Sequence, residues 1–379
     1  MVLSACGASQ PSSAETNSDT GAGTAQNSAT RPFTVTEVAS FTTPWAMDFL
    51  PGSGVPLTNA ALLTEKEGTL WLIDVVTGKR QQVAGVPAVK VAGQGGLGDV
   101  VAHPGFAGNQ RIYLSFAEAG SDGTSGAAVG YGRLILADGQ PRIDGFRVIW
   151  RQQPKVGGSG HFSHRIAFAP DGTMFVSSGE RQKFDPAQDM SVNLGKILHL
   201  TDEGAPVPGN PWAQRGGIAA TFWTIGHRNV LGLSFAPDGR LWETEMGPMG
   251  GDELNLILPG RNYGWPEVSY GSHYDGRAIP DDHESRGFEE PKAWWNPSIS
   301  PGALLIYSGD KFPKWKGDAL IGALSGQALI RVDIEGDDAR KADQWDMGAR
   351  IRAVDQGPGG EVYLLEDGGR LLRLEPARG

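Results

Sequence analysis

An all-β fold follows from one pattern: six times along the chain, an apolar stretch runs into a Pro/Gly turn and emerges as a second strand. The copies lie roughly 50–70 residues apart, the length of a four-stranded antiparallel sheet with its loops. Six copies predict a six-bladed β-propeller. No long stretch carries amphipathic helical periodicity, and short apolar or alternating runs bounded by turn residues dominate instead.

The copies come in this order. The first runs from Met47 to Leu63 with Pro51-Gly52 in its turn, and the second from Asp99 to Phe116 around His103-Pro104-Gly105. The third and fourth nearly superimpose: His164-Arg165-Ile166-Ala167-Phe168-Ala169-Pro170-Asp171-Gly172 leads into Met174-Phe175-Val176, and Gly232-Leu233-Ser234-Phe235-Ala236-Pro237-Asp238-Gly239 leads into Leu241-Trp242. The fifth, Ala303 to Leu324, contains Phe312-Pro313 and Lys316-Gly317-Asp318. The sixth, Ile351 to Leu365, turns at Gly357-Pro358-Gly359-Gly360. The 55 glycines are about twice the usual fraction. With 25 prolines and 11 tryptophans they suit many tight turns and aromatic packing between sheets.

Despite its 379 residues, the chain reads as one folded domain, residues 32–379, because a propeller grows by adding blades. Residues 1–31 are different. Cys6 is the single cysteine, so no intramolecular disulfide or cysteine metal cluster can form. It follows Leu3-Ser4-Ala5 in the pattern of a bacterial lipobox, and Gly7 to Arg31 is a polar, low-complexity tether. No basic n-region or full apolar h-region precedes the cysteine, so the expected natural start lies upstream. The expectation is an exported protein, periplasmic or at the cell surface and lipid-anchored through Cys6, that touches the membrane only there. The net charge of −10 argues against nucleic acid as a partner.

In an antiparallel hairpin, the start of the first strand and the end of the second share one edge. The Pro-Asp-Gly turns therefore mark one face of the disc and the hairpin flanks the other. Those flanks hold Gln94, His161, Glu180-Arg181, His227-Arg228-Asn229, Glu245-Met246-Gly247-Pro248, Ser298, Arg350 and Arg352, predicted to converge on one mouth of the central channel. Arg228, Arg350 and Arg352 suit a planar, multiply anionic ligand, because guanidinium forks bind carboxylates bidentately. His161 is the natural general base, with His164 as its rival. In an extended segment, positions three apart project oppositely, so only one is expected to face the axis. Gly93-Gln94-Gly95-Gly96-Leu97-Gly98 matches a dinucleotide fingerprint, but a strand and turn follow it instead of a helix, so a nicotinamide fold is rejected.

Gly226-His227-Arg228-Asn229, Glu245-Met246-Gly247-Pro248, Gly251-Asp252-Glu253-Leu254-Asn255 and Asn262-Tyr263-Gly264-Trp265-Pro266 carry a resemblance. From about Phe33 onward the chain resembles the soluble quinoprotein aldose sugar dehydrogenases, which are related to soluble glucose dehydrogenase and use pyrroloquinoline quinone (PQQ). The resemblance implies oxidation of aldose sugars at the anomeric carbon to lactones, with an external electron acceptor such as a quinone, dye or cytochrome. It implies that His161 takes the anomeric hydroxyl proton, that Glu180 orients it, and that Arg228 and Asn229 contact the quinone oxygens. Arg350 and Arg352 would bind PQQ carboxylates, and Gln94, Asp252 and Ser298 would line the site. The carbonyls of Gly247 and Pro248 would ligate Ca2+ beside the cofactor, and Glu253 with the Tyr263 carbonyl would belong to a second calcium site. Three positions depart from the family: Met246 replaces a polar residue, Val230-Leu231 stands where Pro-Gln is common, and Ser325 falls where some relatives place a PQQ-binding lysine.

Two other functions fit the architecture. A metal-dependent sugar lactonase would need acidic or amide ligands along the axis, where this mouth has arginines. A non-enzymatic carbohydrate- or partner-binding propeller would use aromatics such as Trp294-Trp295 and Tyr270 to Tyr274.

Overall fold

Six four-stranded antiparallel sheets surround one axis in the computed structural model, which describes residues 31–51, 59–136 and 139–377. Cys6 and the tether before residue 31 lie outside the described residues. Blades one to five occupy residues 44–83, 97–151, 163–225, 230–295 and 301–346 in turn. Their inner strands are Pro44–Phe49, Leu97–Ala102, Ser163–Phe168, Val230–Phe235 and Pro301–Ile306. The inner strand of blade six is Ile351–Gln356. Each inner strand touches the next, and the sixth touches the first, so the ring is closed.

Among the described residues, every hairpin strand of the repeat forms in its predicted place, and Gly52 in the first turn lies outside them. The turns work by local chemistry. Asp171 Oδ1 accepts the amide of Thr173 at 2.9 Å and its hydroxyl at 2.6 Å, while Gly172 adopts φ +86°, a conformation that favours glycine. Asp238 and Gly239 repeat the device, with the Arg240 amide 3.1 Å from Asp238 Oδ1.

Ring closure is not written in the repeat. The outermost strand of blade six is N-terminal: Phe33–Ser40 pairs antiparallel with Arg370–Pro376. Phe33 anchors it by meeting Trp345 edge-on, with ring centroids 5.4 Å apart. Between blades, apolar clusters make up most of the buried contact, with polar bonds such as that from the Ala102 amide to Asp48 near the axis. Leu62 and Leu114 meet between blades one and two, Trp242 and Ile321 between four and five, and Leu63 and Tyr363 between six and one. Burial at these interfaces, at about 25 cal/mol per Å2, drives assembly of the ring.

One irregularity recurs in all six blades. The inner hairpin register slips near its first residue, between Pro44/Ala46, Leu97/Val100, Ser163/Ile166, Val230/Gly232, Pro301/Ala303 and Ile351/Ala353. Each slip is a β-bulge at the same end of the channel.

Further along the axis, a cavity of about 230 Å3 is lined by Asp48, Asp99, Asp355 and Arg165. Arg165 is committed: it donates to Asp99 Oδ1 at 3.1 Å and to the Leu231 and Gly302 carbonyls at 2.7 and 2.8 Å. Asp48 has no cationic partner among the described residues. Burial pushes its carboxyl up to about 7, with the Ala102 amide opposing and the Asp99 charge adding. A carboxyl raised in the folded state contributes stability that is present at low pH and lost as pH rises through its folded value. Asp48→Asn keeps an acceptor for Ala102 and removes the charge. It is expected to raise stability at pH 8 by on the order of 1–3 kcal/mol and to change little at pH 4. Denaturation at the two pH values checks this, and a loss of stability at pH 8 would contradict it.

Candidate active site

A bulge leaves an inner-strand residue without a cross-strand partner and re-aims its side chain. Trp45, His164, Leu231 and Arg352 lie within four of the six bulges, and all four line a cavity of about 480 Å3 at the mouth of the channel. Gln94, Asn229 and Arg350 line it too, as do Lys66, Met246 and Ser300. Of the predicted residues, Gln94, Asn229, Arg350 and Arg352 are therefore brought together directly.

His161 stands just behind this wall and is 6% exposed. Its amide donates to Gln94 Oε1 at 2.7 Å, and its ring Nδ1 bonds Glu180 Oε1. Glu180 is the fixed point of this corner. Its carboxylate also accepts the amides of Gln182 at 2.9 Å, Phe184 at 2.7 Å, and Lys183. Burial opposes the charge on Glu180, yet the His161 contact and these amides hold its carboxyl below the usual range. Burial pushes His161 below its ordinary value, with Glu180 pulling back and Arg228 adding to the depression. Burial and Arg228 favour the uncharged imidazole, while the Glu180 carboxylate at Nδ1 favours the tautomer that carries its proton there. Its Nε2 has no hydrogen-bond partner among the described residues.

His164 differs. Its Nδ1 is engaged by Ser115 Oγ at 2.7 Å, and burial drives it down to about 3. An imidazole this acidic is a poor proton acceptor at neutral pH. As expected, only one of the two histidines lines the cavity, but it is His164 and not His161, and the segment between them is not extended. His161, Ser163 and His164 all take positive φ, at 49°, 55° and 59°, and His164 lines the cavity while His161 lies behind it.

The loop carrying His161 is pinned from below. Arg181, expected at the mouth, is instead buried, donating to the carbonyls of Ser125, Gly158 and Gly160 at 2.6, 2.7 and 2.9 Å. Its guanidinium lies 3.7 Å from the centre of the Phe162 ring. Lys196 Nζ holds the following turn through the carbonyls of Pro186, Ala187 and Leu194 at 2.7, 2.9 and 2.8 Å.

Arg228 opens onto a second, smaller void, which shares Met246 with the first. It is 5% exposed, makes no salt bridge among the described residues and leaves Nε without a partner. Its terminal nitrogens reach the Met246 carbonyl at 2.9 Å and the Tyr274 hydroxyl at 3.1 Å. Asn229 Nδ2 lies 3.9 Å from Met246 Sδ. Arg350 and Arg352 share one carboxylate, Asp367, at 2.9 and 2.7 Å, and Arg352 stacks 4.3 Å from the centre of the Trp45 ring.

Asp252 and Ser298 buttress the wall. Asp252 Oδ2 accepts from Ser298 Oγ at 2.6 Å and from the amides of Ile299 and Ser300 at 2.7 Å, while Oδ1 takes the Gly247 amide at 2.9 Å. Ser325 Oγ is spent on the Ser298 carbonyl and Ser300 Oγ, at 3.1 and 2.9 Å. The Gly247, Pro248 and Tyr263 carbonyls accept no hydrogen bond from the described residues. Glu253, Glu245 and Tyr263 surround the small void, about 10 Å3, room for one water or ion. His227, Glu243 and Glu245 also cluster there, with candidate ligand atoms within 4.8 Å of one another. Sequence reading missed Glu243 and Glu245 as ligand candidates. It also missed Lys66 and Asp367 at the mouth.

Comparison with known proteins agrees with this geometry. Residues 41–373 match the model of the Glucose / Sorbosone dehydrogenase family. Aldose sugar dehydrogenase YliI of Escherichia coli is 38% identical over 340 residues, covering 88% of this chain and 90% of that one. A crystal structure of glucose dehydrogenase is 43% identical, with TM-score 0.84, covering 90% of this chain and 99% of the other. The PQQ-bound aldose sugar dehydrogenase of Streptomyces coelicolor is 28% identical, with TM-score 0.74, covering 90% and 98%.

Arg181 gives this site a direct test. Arg181→Met keeps apolar contact with Phe162 and strands the carbonyls of Gly158 and Gly160, while that of Ser125 keeps the Val156 amide. Each buried group left unsatisfied costs about 1–3 kcal/mol, so a loss of about 3 kcal/mol in chemical denaturation is expected. A change within about 0.5 kcal/mol, the usual range of surface substitutions, would show that Arg181 does not hold the loop.

Proposed function

This chain belongs to the glucose / sorbosone dehydrogenase family, and from that premise we propose how its mouth serves a quinoprotein oxidoreductase. The enzyme oxidises aldose sugars at the anomeric carbon to lactones and passes the electrons on to an external acceptor. The observation that carries the site assignment is His161, bonded to Glu180 through Nδ1 with no hydrogen-bond partner at Nε2 among the described residues, just behind the wall of an arginine-rich cavity.

The residues present fit PQQ. Arg228 is buried with an orphaned Nε and no acid partner among the described residues, the condition of a guanidinium built to meet an anionic or carbonyl oxygen. Arg350 and Arg352 together carry one more charge than Asp367 neutralises. When bound, PQQ supplies the two-electron acceptor that takes hydride from the sugar C1. His161 Nε2 takes the proton of the C1 hydroxyl, so that the C1–O bond becomes the lactone carbonyl as the C1–H bond breaks. Glu180 stabilises the resulting imidazolium through Nδ1. Arg228 and Asn229 place donors where negative charge develops, and Arg350 and Arg352 bind carboxylates. Gln94, through the His161 amide, and Asp252 with Ser298, through the wall at Ile299 and Ser300, fix these groups in place.

Calcium fits the same corner. The donor-free carbonyls of Gly247 and Pro248 suit an ion beside the cofactor, and Glu253 with the Tyr263 carbonyl suits a second ion, since calcium takes oxygen ligands and tolerates carbonyls. We also propose export and lipidation at Cys6, supported by the Leu3-Ser4-Ala5-Cys6 pattern and the polar tether after it.

Titration of metal-free protein with PQQ, with and without calcium, followed by dye reduction with an aldose panel, tests this reading. His161→Ala is expected to lower sugar oxidation by about 10²–10⁴-fold while leaving PQQ affinity nearly unchanged. In the unaltered protein kcat/KM should fall on the acid side, as protonation of His161 removes the base. If His164→Ala abolishes oxidation and His161→Ala does not, the base is misassigned.

A further inference from the structure

The glycine run rejected as a dinucleotide motif has a different use. Lys66 leaves the turn between Ala60–Glu65 and Thr69–Asp74 in blade one and is held at both backbone poles. Its amide donates to the Thr43 carbonyl at 3.0 Å, and its own carbonyl accepts the Leu97 amide at 2.9 Å. Gly96 lies directly against it at φ +150°. A Cβ there would fall 2.2 Å from the Lys66 carbonyl oxygen and 2.7 Å from its Cγ. Glycine at 96 therefore leaves room for the lysine stem to pass towards the mouth, and Lys66 Nζ rests on the Gly93 carbonyl.

Lys66 lines the same cavity as Gln94, Arg350 and Arg352. It makes no salt bridge with a carboxylate among the described residues, and its Nζ is bonded only to a neutral carbonyl. The two arginines on that wall share the single carboxylate of Asp367. The wall thus carries three fixed cations against one anion in a protein whose net charge is −10. A cation at a cavity mouth without a carboxylate partner is placed to receive a counter-charge from a ligand. Ser325 on the rim is neutral and already hydrogen-bonded.

We propose that Lys66 binds a carboxylate of the cofactor, completing with Arg350 and Arg352 a three-cation wall for a planar polycarboxylate. The inference rests on the PQQ reading above. It assigns cofactor binding to blade one, where the resemblance placed no cofactor ligand.

The test is PQQ titration of metal-free protein in saturating calcium, followed by the cofactor's absorbance and fluorescence and needing no turnover. Lys66→Met is expected to weaken PQQ binding about tenfold to a hundredfold, the worth of one charge-assisted hydrogen bond. Lys66→Arg should restore affinity to within a few-fold. The difference between Lys66→Met and the unaltered protein should shrink as salt rises from 50 to 500 mM. Lys66→Gln, which keeps the stem and loses only the charge, serves if Lys66→Met is less stable, and thermal denaturation of each variant reports folding. If the unaltered protein binds PQQ and Lys66→Met and Lys66→Gln bind it equally well, while Arg352→Met binds it weakly, Lys66 is not a ligand and the PQQ site stands. If the unaltered protein does not bind PQQ, the reading of the site itself fails.

Discussion

Each inner strand begins with a β-bulge, and the chemistry of the mouth hangs on those six irregularities. Along a regular strand, successive side chains alternate between the two faces. A bulge resets that alternation at the channel end, so Trp45, His164, Leu231 and Arg352 face the cavity although the strand below obeys its own parity. The inter-blade cores need regular strands and the site needs re-aimed residues. One extra residue per blade meets both demands.

The second organising constraint is charge held without bulk water. Glu180 retains a buried negative charge because three consecutive backbone amides and His161 converge on it. Arg181 and Lys196 are satisfied in the opposite sense, by backbone carbonyls. These groups are spent on structure. The cations left for a ligand are Arg228, Lys66 and the surplus of the Arg350 and Arg352 pair over Asp367, and all of them open onto two voids joined at Met246. A protein acidic overall thus becomes a local receptor for anionic groups.

The hairpins were legible in the sequence because their determinants are local: Asp171-Gly172 and Asp238-Gly239 make their turns with neighbouring residues. The gathering of Gln94, Asn229, Arg350 and Arg352 was legible because the repeat maps chain position onto blade position. The closing strand was not, since Phe33–Ser40 matches no copy of the repeat and is defined by its pairing with Arg370–Pro376 and by Trp345. The relation of His161 to His164 was also hidden, because positive φ at both breaks the extended geometry that periodicity assumes. Lys66 escaped notice because its place depends on Gly96, a contact between turns of different blades. Arg181 resembled a site residue and proved to be a pillar, a difference of burial that composition does not encode.

The central claim, that one mouth joins a cation wall to a histidine base, is tested most directly by a crystal structure with PQQ, calcium and an aldose bound. The account predicts cofactor carboxylates within about 3 Å of the Arg350 and Arg352 guanidinium groups and of Lys66 Nζ, with His161 Nε2 against the sugar C1 hydroxyl. A cofactor seated away from these cations, or a sugar presented to His164 instead of His161, would contradict it.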